Sequence, residues 1–386
     1  MAQVVSGSDV LVDSRPVHVT EVVDDHGFEN LRTLWDQTLE QSPDATVFQS
    51  WEWQYTWHKH FGRGNPSILL MSHGSADDQP FAIAPLVIRP YVVPMLRELA
   101  FMGVGVSDYL DIICGEGRRD AAAAAVFDFV HSNAHRWDFV DLHQIPPHGL
   151  ASDVAGLAED HHELDAETLN HEVCPVVDLP ESWDHYRKSL GKSLRFNIGY
   201  YERSLRKQHD VQIGVADASN LDSEMDSLFR LHTRRWRKRW LPGVLSGAKV
   251  QAFHRDSAAR LLERGWLRLY YLKLDGVTRA SLYCFAFRDT MYYYLGGFDP
   301  EMAKYGLGTI LTGYAIKEAI EGGFREFDML RGSEEYKLRW KPELRRNKRV
   351  FVRKKGMRSV ATRALHSAEE RIERVFKERV MGITGG

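Results

Sequence analysis

The chain alternates short apolar runs with helical periods. "VHVTEVV" (17–23) switches apolar and polar at every step, as a half-buried strand does. "FENLRTLWDQTLEQS" puts Leu31, Leu34, Trp35 and Leu39 on one helical face, and "FQSWEWQYTWHKHFG" (48–62) predicts a second helix rich in aromatics. "SILLMSHG", "FAIAPLVIRP", "LRELAFMG" and "DYLDIICG" read as strands separated by Gly, Asp and Pro turns. Alanine content makes "RRDAAAAAVFDFVHSNAHR" a helix, and "WDFVDLHQI" closes this part as a strand. Residues 150–175 are acidic and weakly patterned, and read as a connection.

The same order then returns. After the strand "PVVDL" comes a long helical stretch, "SWDHYRKSLGKSLRFNIGYYERSLRKQ", then strand "VQIGVA" and helices over 220–240 and 249–263. Strands "LRLYYLKL", "RASLYCFAFR" and "MYYYLGGF" follow, joined by tight turns, then a helix over 307–321 and the strand "REFDML". No close sequence repeat links the halves, yet their element order predicts a mixed α/β protein of two related domains. The predicted limits are a polar tail (1–16), a first domain (17–175), a second (176–355) and a C-terminal segment (356–386). In the last, "SAEERIERVFKERV" has the period of an amphipathic helix that packs on the body.

Composition narrows the class. An apolar content of 44% over 386 residues is ample for real cores. No apolar run approaches the ~20 residues of a membrane span, and no basic region followed by an apolar stretch opens the chain. Cys114, Cys174 and Cys284 are scattered, which suits a reducing cytoplasm and gives no thiolate metal site. His58, His60, His161, His162 and His171 form no ligand pattern in sequence, so no metal is expected. The net charge of −3 hides an asymmetry: residues 1–180 sum to −19 and the remainder to +16. The basic residues concentrate in "RLHTRRWRKRW" (230–240) and "KLRWKPELRRNKRVFVRKK" (337–355). Either that half attracts a phosphate-rich ligand, or its charge is a matter of solvated faces and of attraction between the halves.

The stretch from Tyr292 to Gly323 carries the chemistry. An aromatic strand ends in Gly296 and Gly297, and a loop then delivers Gly306 and Gly308 to a helix start. Small residues there serve close packing, or bare N–H groups at a helix N-terminus receive an anion.

The strand–turn–strand–turn–strand–glycine loop–helix–strand order, with "YYYLGGFDPEMAKYGLGT" and "FDMLRGSEEYKLRW", resembles the GNAT N-acetyltransferase superfamily. "FQSWEWQYTW", "SDYLDII", "LHTRRW" and "LYYLKLDGVTRASLYCF" extend the likeness over residues 20–345. Together they resemble the tandem-domain acetyltransferases of cellulose-biosynthesis type, distant relatives of the Fem aminoacyltransferases. The resemblance implies two GNAT-like domains, with the cofactor loop kept in the second. Acetyl-CoA or another acyl-CoA would be co-substrate, its thioester arm along an exposed strand edge and its pyrophosphate on a loop of Arg/Gln-x-x-Gly-x-Gly/Ala type. Lys304, Gly306, Leu307, Gly308 and Thr309 stand at that loop, without the leading Arg or Gln, since Glu301 or Met302 falls there.

The reaction so implied is attack of an amine on a thioester. N–H groups near Leu295, Gly296 and Gly297 would polarise the carbonyl, with a bulge at the glycines. His232 shares a helical side with Met225, Phe229 and Trp236, and is either the base or a core residue. Asp328 would orient or deprotonate the amine, or pair with Arg331. Tyr336 would protonate the leaving thiolate, and Lys337, by its likeness to a Fem lysine, would hold a phosphate or an oxyanion. Glu334 or Glu335 is a further base, acting through water. Asp108 and Tyr109, with Asp111 in a "DYxD" match, would line an interdomain cleft, and Arg235, Trp236, Arg331 and Glu335 would complete the acceptor side. Trp51, Trp53, Tyr55 and Trp57 read as core in preference to a sugar platform. The expected activity is transfer of an acyl group to an amine of a cell-envelope, polysaccharide-related or small-molecule acceptor. The alternatives are Fem-type transfer from charged tRNA, favoured by the basic half but lacking a long helical hairpin, and a non-catalytic scaffold. DNA is not an expected partner.

Overall fold

The computed structural model describes residues 16–74, 78–91, 96–237 and 243–355. The N-terminal tail up to residue 15, the C-terminal helix expected in "SAEERIERVFKERV" and the end of the first basic run, Lys238 to Trp240, lie outside them.

In chain order the strands are β1 (Val17–Val22), β2 (Pro66–His73), β3 (Ala82–Pro90), β4 (Arg97–Phe101), β5 (Ile113–Cys114), β6 (Phe139–Ile145) and β7 (Leu164–Asp178). The second half adds β8 (Val211–Val215), β9 (Leu267–Leu274), β10 (Val277–Phe287), β11 (Thr290–Phe298), β12 (Glu326–Asp328) and β13 (Glu343–Lys354). They form one sheet in the order β1-β2-β3-β4-β6-β13-β7-β12-β11-β10-β9-β8, with β5 attached to β3. Read inward from either end the pattern is the same. Four antiparallel strands are followed by one parallel partner, β6 beside β4 and β12 beside β11. The next strand in each half then crosses over: β7 pairs with β12, β13 pairs with β6, and the two run antiparallel along each other. Two units of like topology thus share a sheet by exchanging their last long strands.

This exchange corrects two expectations. The acidic stretch 150–175 is not a bare connection but a helix, Ala151–Glu159, followed by β7, the longest strand. The basic run after Lys337 contains β13, which lies in the middle of the sheet. Neither looks like a strand alone over its charged length, because its charges are neutralised by the strands beside it. Arg353 stands opposite Asp165 in register and pairs with it, while Arg349 on β13 holds Asp141 of β6 at 2.8 Å with both side chains buried. Arg264 to Asp36, Lys59 to Asp256 and Arg331 to Asp108 bridge the halves elsewhere. The asymmetry of charge is therefore in good part the attraction between the units.

Hydrophobic packing follows the same joint. One cluster contains Trp35, Phe48, Trp51, Trp53 and Trp57 of the first unit with Phe229, Phe253, Phe285 and Tyr292 of the second. Trp53 is fully buried, stacks edge-on against Phe253 and donates its indole N–H to Ser107 Oγ at 2.8 Å. The aromatic helix Trp51–Phe61 is core, lying against the helix Ala248–Glu263.

The strand expected over "DYLDIICG" shrinks to Ile113–Cys114. Asp108 to Ile112 instead form a loop in the opening between β4 and β6, with Leu110 N–H bonded to the Gln144 carbonyl. Asp111 accepts from the N–H groups of Leu150 and Ala151 at 2.6 and 2.8 Å and so closes the start of helix Ala151–Glu159. The first unit has filled its own strand opening.

Candidate functional site

In the second unit the corresponding opening is kept. β11 and β12 pair in parallel over three positions only, Thr290–Glu326, Met291–Phe327 and Tyr292–Asp328. Beyond them the chain leaves β12 through Leu330 (φ 55°) and Gly332 (φ 103°), while β11 stays on β10 as far as Phe298. The second edge of Tyr293–Phe298 has no strand partner among the described residues. Tyr283 faces Leu295 and Cys284 faces Tyr293, so Tyr294 is the extra residue of a β-bulge. The expectation put that bulge at the glycines, which have another task. A Cβ on Gly297 would stand 2.8 Å from the His232 backbone nitrogen, so glycine lets helix Leu221–Arg237 lie on the strand.

The open edge leads to the glycine loop. Asp299 accepts from Arg279 and Arg234 through Oδ2 and from the Glu301 N–H through Oδ1, fixing the turn Pro300–Tyr305. Gly306 takes φ 61° and starts helix Leu307–Glu321; a Cβ there would meet the Tyr201 ring at 2.4 Å. Gly306 is glycine for conformation and packing. Gly308 is different: its nearest neighbour would be Phe298, at an ordinary 3.6 Å. Thr309 and Ile310 N–H groups bond to the Gly306 carbonyl, whereas those of Leu307 and Gly308 take no backbone acceptor among the described residues. They form a donor pair at the positive end of a 15-residue helix. Lys304 on the same loop lies over the Tyr305 ring.

Arg235 places its guanidinium over Phe298 at 5.1 Å. Its charge is also felt by the neighbouring phenols Tyr293 and Tyr336. Burial raises both phenols, Tyr293 to about 12 and Tyr336 well above its usual range, so both remain O–H donors at neutral pH.

The other proposed acids and bases are occupied. His232 is buried, and its Nε2 accepts the Trp236 indole N–H at 2.9 Å. A neutral ring has one free lone pair, and Trp236 takes it; the proton is then on Nδ1, which has no partner. Burial, with Arg235 nearby, lowers the ring to about 4. His232 is thus a neutral packing group and not a base. Asp328 accepts from the Tyr109 hydroxyl and from the Leu330 N–H, both at 2.7 Å, and is closed to solvent. Burial pushes it up to about 7 against those two bonds. Lys337 donates to the Leu330 and Arg331 carbonyls at 3.3 and 2.7 Å, and its ammonium stands 3.2 Å from Glu334 Oε2 as an ion pair. It clamps the loop after β12 and is buried there, with its charge met by Glu334.

Asp108 and Tyr109 are likewise buried in the seam between the units and do not line an open cleft. Asp108 pairs with Arg331 at 2.8 Å, and its carbonyl accepts from Asn347. Burial raises its carboxyl, opposed by Arg331 and Lys337. Glu335 is exposed at the start of helix Glu335–Leu338. The fold therefore gathers Arg235, Leu295–Gly297, Gly308 and Tyr336 around β11 and the loop after it, leaves Trp236 against His232, and separates from them the seam group of Asp108, Tyr109, Asp328, Arg331 and Lys337. Sequence reasoning passed over Tyr293, Phe298, Asp299 and Tyr201. Only Asp299-Pro300 carried a local mark, an acidic cap before a proline.

The model of the family described as Acetyltransferase (GNAT) domain matches residues 192–338. That span holds both the open strand edge and the glycine loop. Among solved structures the chain resembles FemX, with TM-score 0.62 and 9% identity over 86% of this chain and 96% of that one. It also resembles a C-terminal domain assigned to a lysylphosphatidylglycerol synthetase of Agrobacterium fabrum (0.56, 14%, 94% and 100%) and L-PGS from Bacillus licheniformis (0.53, 14%, 90% and 97%). At these identities the likeness is one of fold. No curated protein matches by sequence. Residues 192–338 are thus similar to the GNAT domain, and the whole chain is similar in fold to FemX. No helix of the described residues is long and apolar enough to cross a membrane.

Proposed function

We propose that the chain is a cytoplasmic N-acyltransferase that moves an acyl group, acetyl being the simplest, from acyl-CoA to an amine of a cell-envelope, polysaccharide-related or small-molecule acceptor. One observation carries the reading: an unpartnered β11 edge ends at a helix whose first N–H groups are free and whose Gly308 leaves room for a ligand. The residues fit the donor in a definite way. Leu307 and Gly308 N–H groups receive the pyrophosphate, with Arg235 beside them, and the Tyr293–Phe298 edge receives the amide arm. As the amine nitrogen bonds to the carbonyl carbon and the C–S bond breaks, N–H groups around Leu295–Gly297 stabilise the oxyanion. Tyr336 gives its proton to the thiolate. The amine proton passes through water to the exposed Glu335, since His232 and Asp328 are engaged and Glu334 is paired with Lys337. Calorimetric titration with CoA and acetyl-CoA tests the proposal: absence of binding overturns it.

A second reading, aminoacyl transfer from charged tRNA, is favoured by one feature. Phe196 and Tyr200 stack on each other, exposed, on the helix Lys192–Arg206 that also carries Arg195 and Arg203. Bases stack on such surfaces, and binding would weaken steeply with salt. Gel retardation of tRNA that survives moderate salt would favour it over the CoA enzyme. A non-catalytic scaffold would purify without CoA, which mass spectrometry of the purified chain detects.

A further inference from the structure

The turn between helix Ala151–Glu159 and β7 carries His161, His162 and Glu163, and helix Arg119–Ser132 brings His131 against it from thirty residues earlier. His131 and His161 rings are 4.2 Å apart, and His131 Nε2 stands 3.4 Å from Glu163 Oε2. One ligand atom from each of His131, His161 and Glu163 lies within 4.8 Å of the others. A tetrahedral ion with bonds of about 2.0–2.1 Å holds neighbouring ligand atoms about 3.4 Å apart. The His131–Glu163 pair already has that spacing, and a small rotation of His161 completes it.

We propose that His131, His161 and Glu163 form a binding site for a divalent transition-metal ion of the zinc class. Two imidazoles and one carboxylate suit zinc, cobalt or nickel better than calcium or magnesium, which prefer oxygen alone. Phe127 stacks parallel to His131 and holds its ring. The fourth position faces solvent, with the exposed His162 beside it. The site also has a place in the architecture. The Glu163 carbonyl accepts the Lys355 N–H at 2.9 Å, and Lys355 Nζ reaches the His162 carbonyl at 3.0 Å. An ion here ties the end of helix Arg119–Ser132 to the start of β7 and, through Lys355, to the end of β13, so it pins both exchanged strands. It belongs to the fold and not to the acyl-transfer opening.

Untagged full-length chain, stripped with EDTA and dialysed, is titrated with zinc chloride by calorimetry and with cobalt chloride by visible absorption. The expected results are one zinc site, cobalt bands of a tetrahedral centre, and a higher melting temperature with zinc. His131→Asn and Glu163→Gln are expected to weaken binding at least about tenfold and to remove the melting shift. His26→Asn, at another surface, leaves both unchanged. Matching metal-free melting curves for the variants and the parent exclude a folding defect. Absence of zinc binding overturns the proposal, as does equal binding and an equal melting shift in His131→Asn.

Discussion

The Tyr109 hydroxyl donates to Asp328 Oδ2 over 2.7 Å, and this bond joins the loop that fills the first unit to the last position of the parallel ladder in the second. Both groups are buried, so water cannot replace either partner. Tyr109→Phe removes the donor and keeps the ring, leaving half a carboxylate unsatisfied. The expected loss of stability is about 1–3 kcal/mol, read from urea unfolding followed by circular dichroism. A variant as stable as the parent would mean that the seam does not depend on this contact.

Asp328 also sets a pH dependence. Its carboxyl is raised from 3.8 to about 7. Below pH 3.8 it is protonated in folded and unfolded chains alike and contributes no slope. Between 3.8 and 7 the unfolded chain loses the proton first, so stability falls as pH rises through that window. Asp328→Asn carries its own constant cost but no proton, and its urea midpoint should decline less between pH 4.5 and 7.5 than the parent's. Asp108 and Asp111 are common to both proteins and cancel in the comparison. Parallel profiles would refute the assignment.

Arg349 and Asp141 are the most enclosed of the pairs that neutralise the exchanged strand. Arg349→Met takes the guanidinium from the buried Asp141 carboxylate, which keeps His143 at 3.1 Å, and should cost about 1–3 kcal/mol, whereas Arg349→Met with Asp141→Leu should recover much of the loss. Denaturant midpoints of the two variants check this. Equal loss in both would show that packing, and not charge, sets the cost.

Most of the elements were legible because each has its own period: the aromatic helix Trp51–Phe61, the three strands β9 to β11 and the helix after Gly306 all follow local pattern. Of β7 only the end, "PVVDL", was legible, and β13 was not, because a strand takes its apolar or polar character from its neighbours. Here each neighbour is the oppositely charged strand of the other unit. The site divides the same way. Gly308 and Tyr336 lie where loop chemistry suggested. His232, Asp328 and Lys337 have the right residue types, yet their partners, Trp236, Tyr109 and the Leu330 and Arg331 carbonyls, occupy the atoms that chemistry would need. The Tyr109 partnership in particular spans 219 positions and leaves no mark in local sequence.

If Tyr336 supplies the proton to the thiolate, Tyr336→Phe should lower kcat at least about tenfold while KM for the acyl donor stays near the parent value. Tyr293→Phe, which removes the neighbouring hydroxyl on the β11 edge, should give a smaller loss. Thiol release with acetyl-CoA measures both. Unchanged kcat in Tyr336→Phe would remove it from the mechanism.

The central claim is that the free N–H groups at the start of helix Leu307–Glu321 hold the phosphates of CoA. Gly308→Glu puts a carboxylate there, at a position where a side chain has room and an acidic residue suits the helix start. Gly306 would be the wrong choice, because φ 61° and the Tyr201 ring would disturb the fold. Calorimetric titration with CoA should show binding by the parent chain and none by a Gly308→Glu variant of unchanged melting temperature. No binding by the parent, or equal affinity in both, would contradict the account.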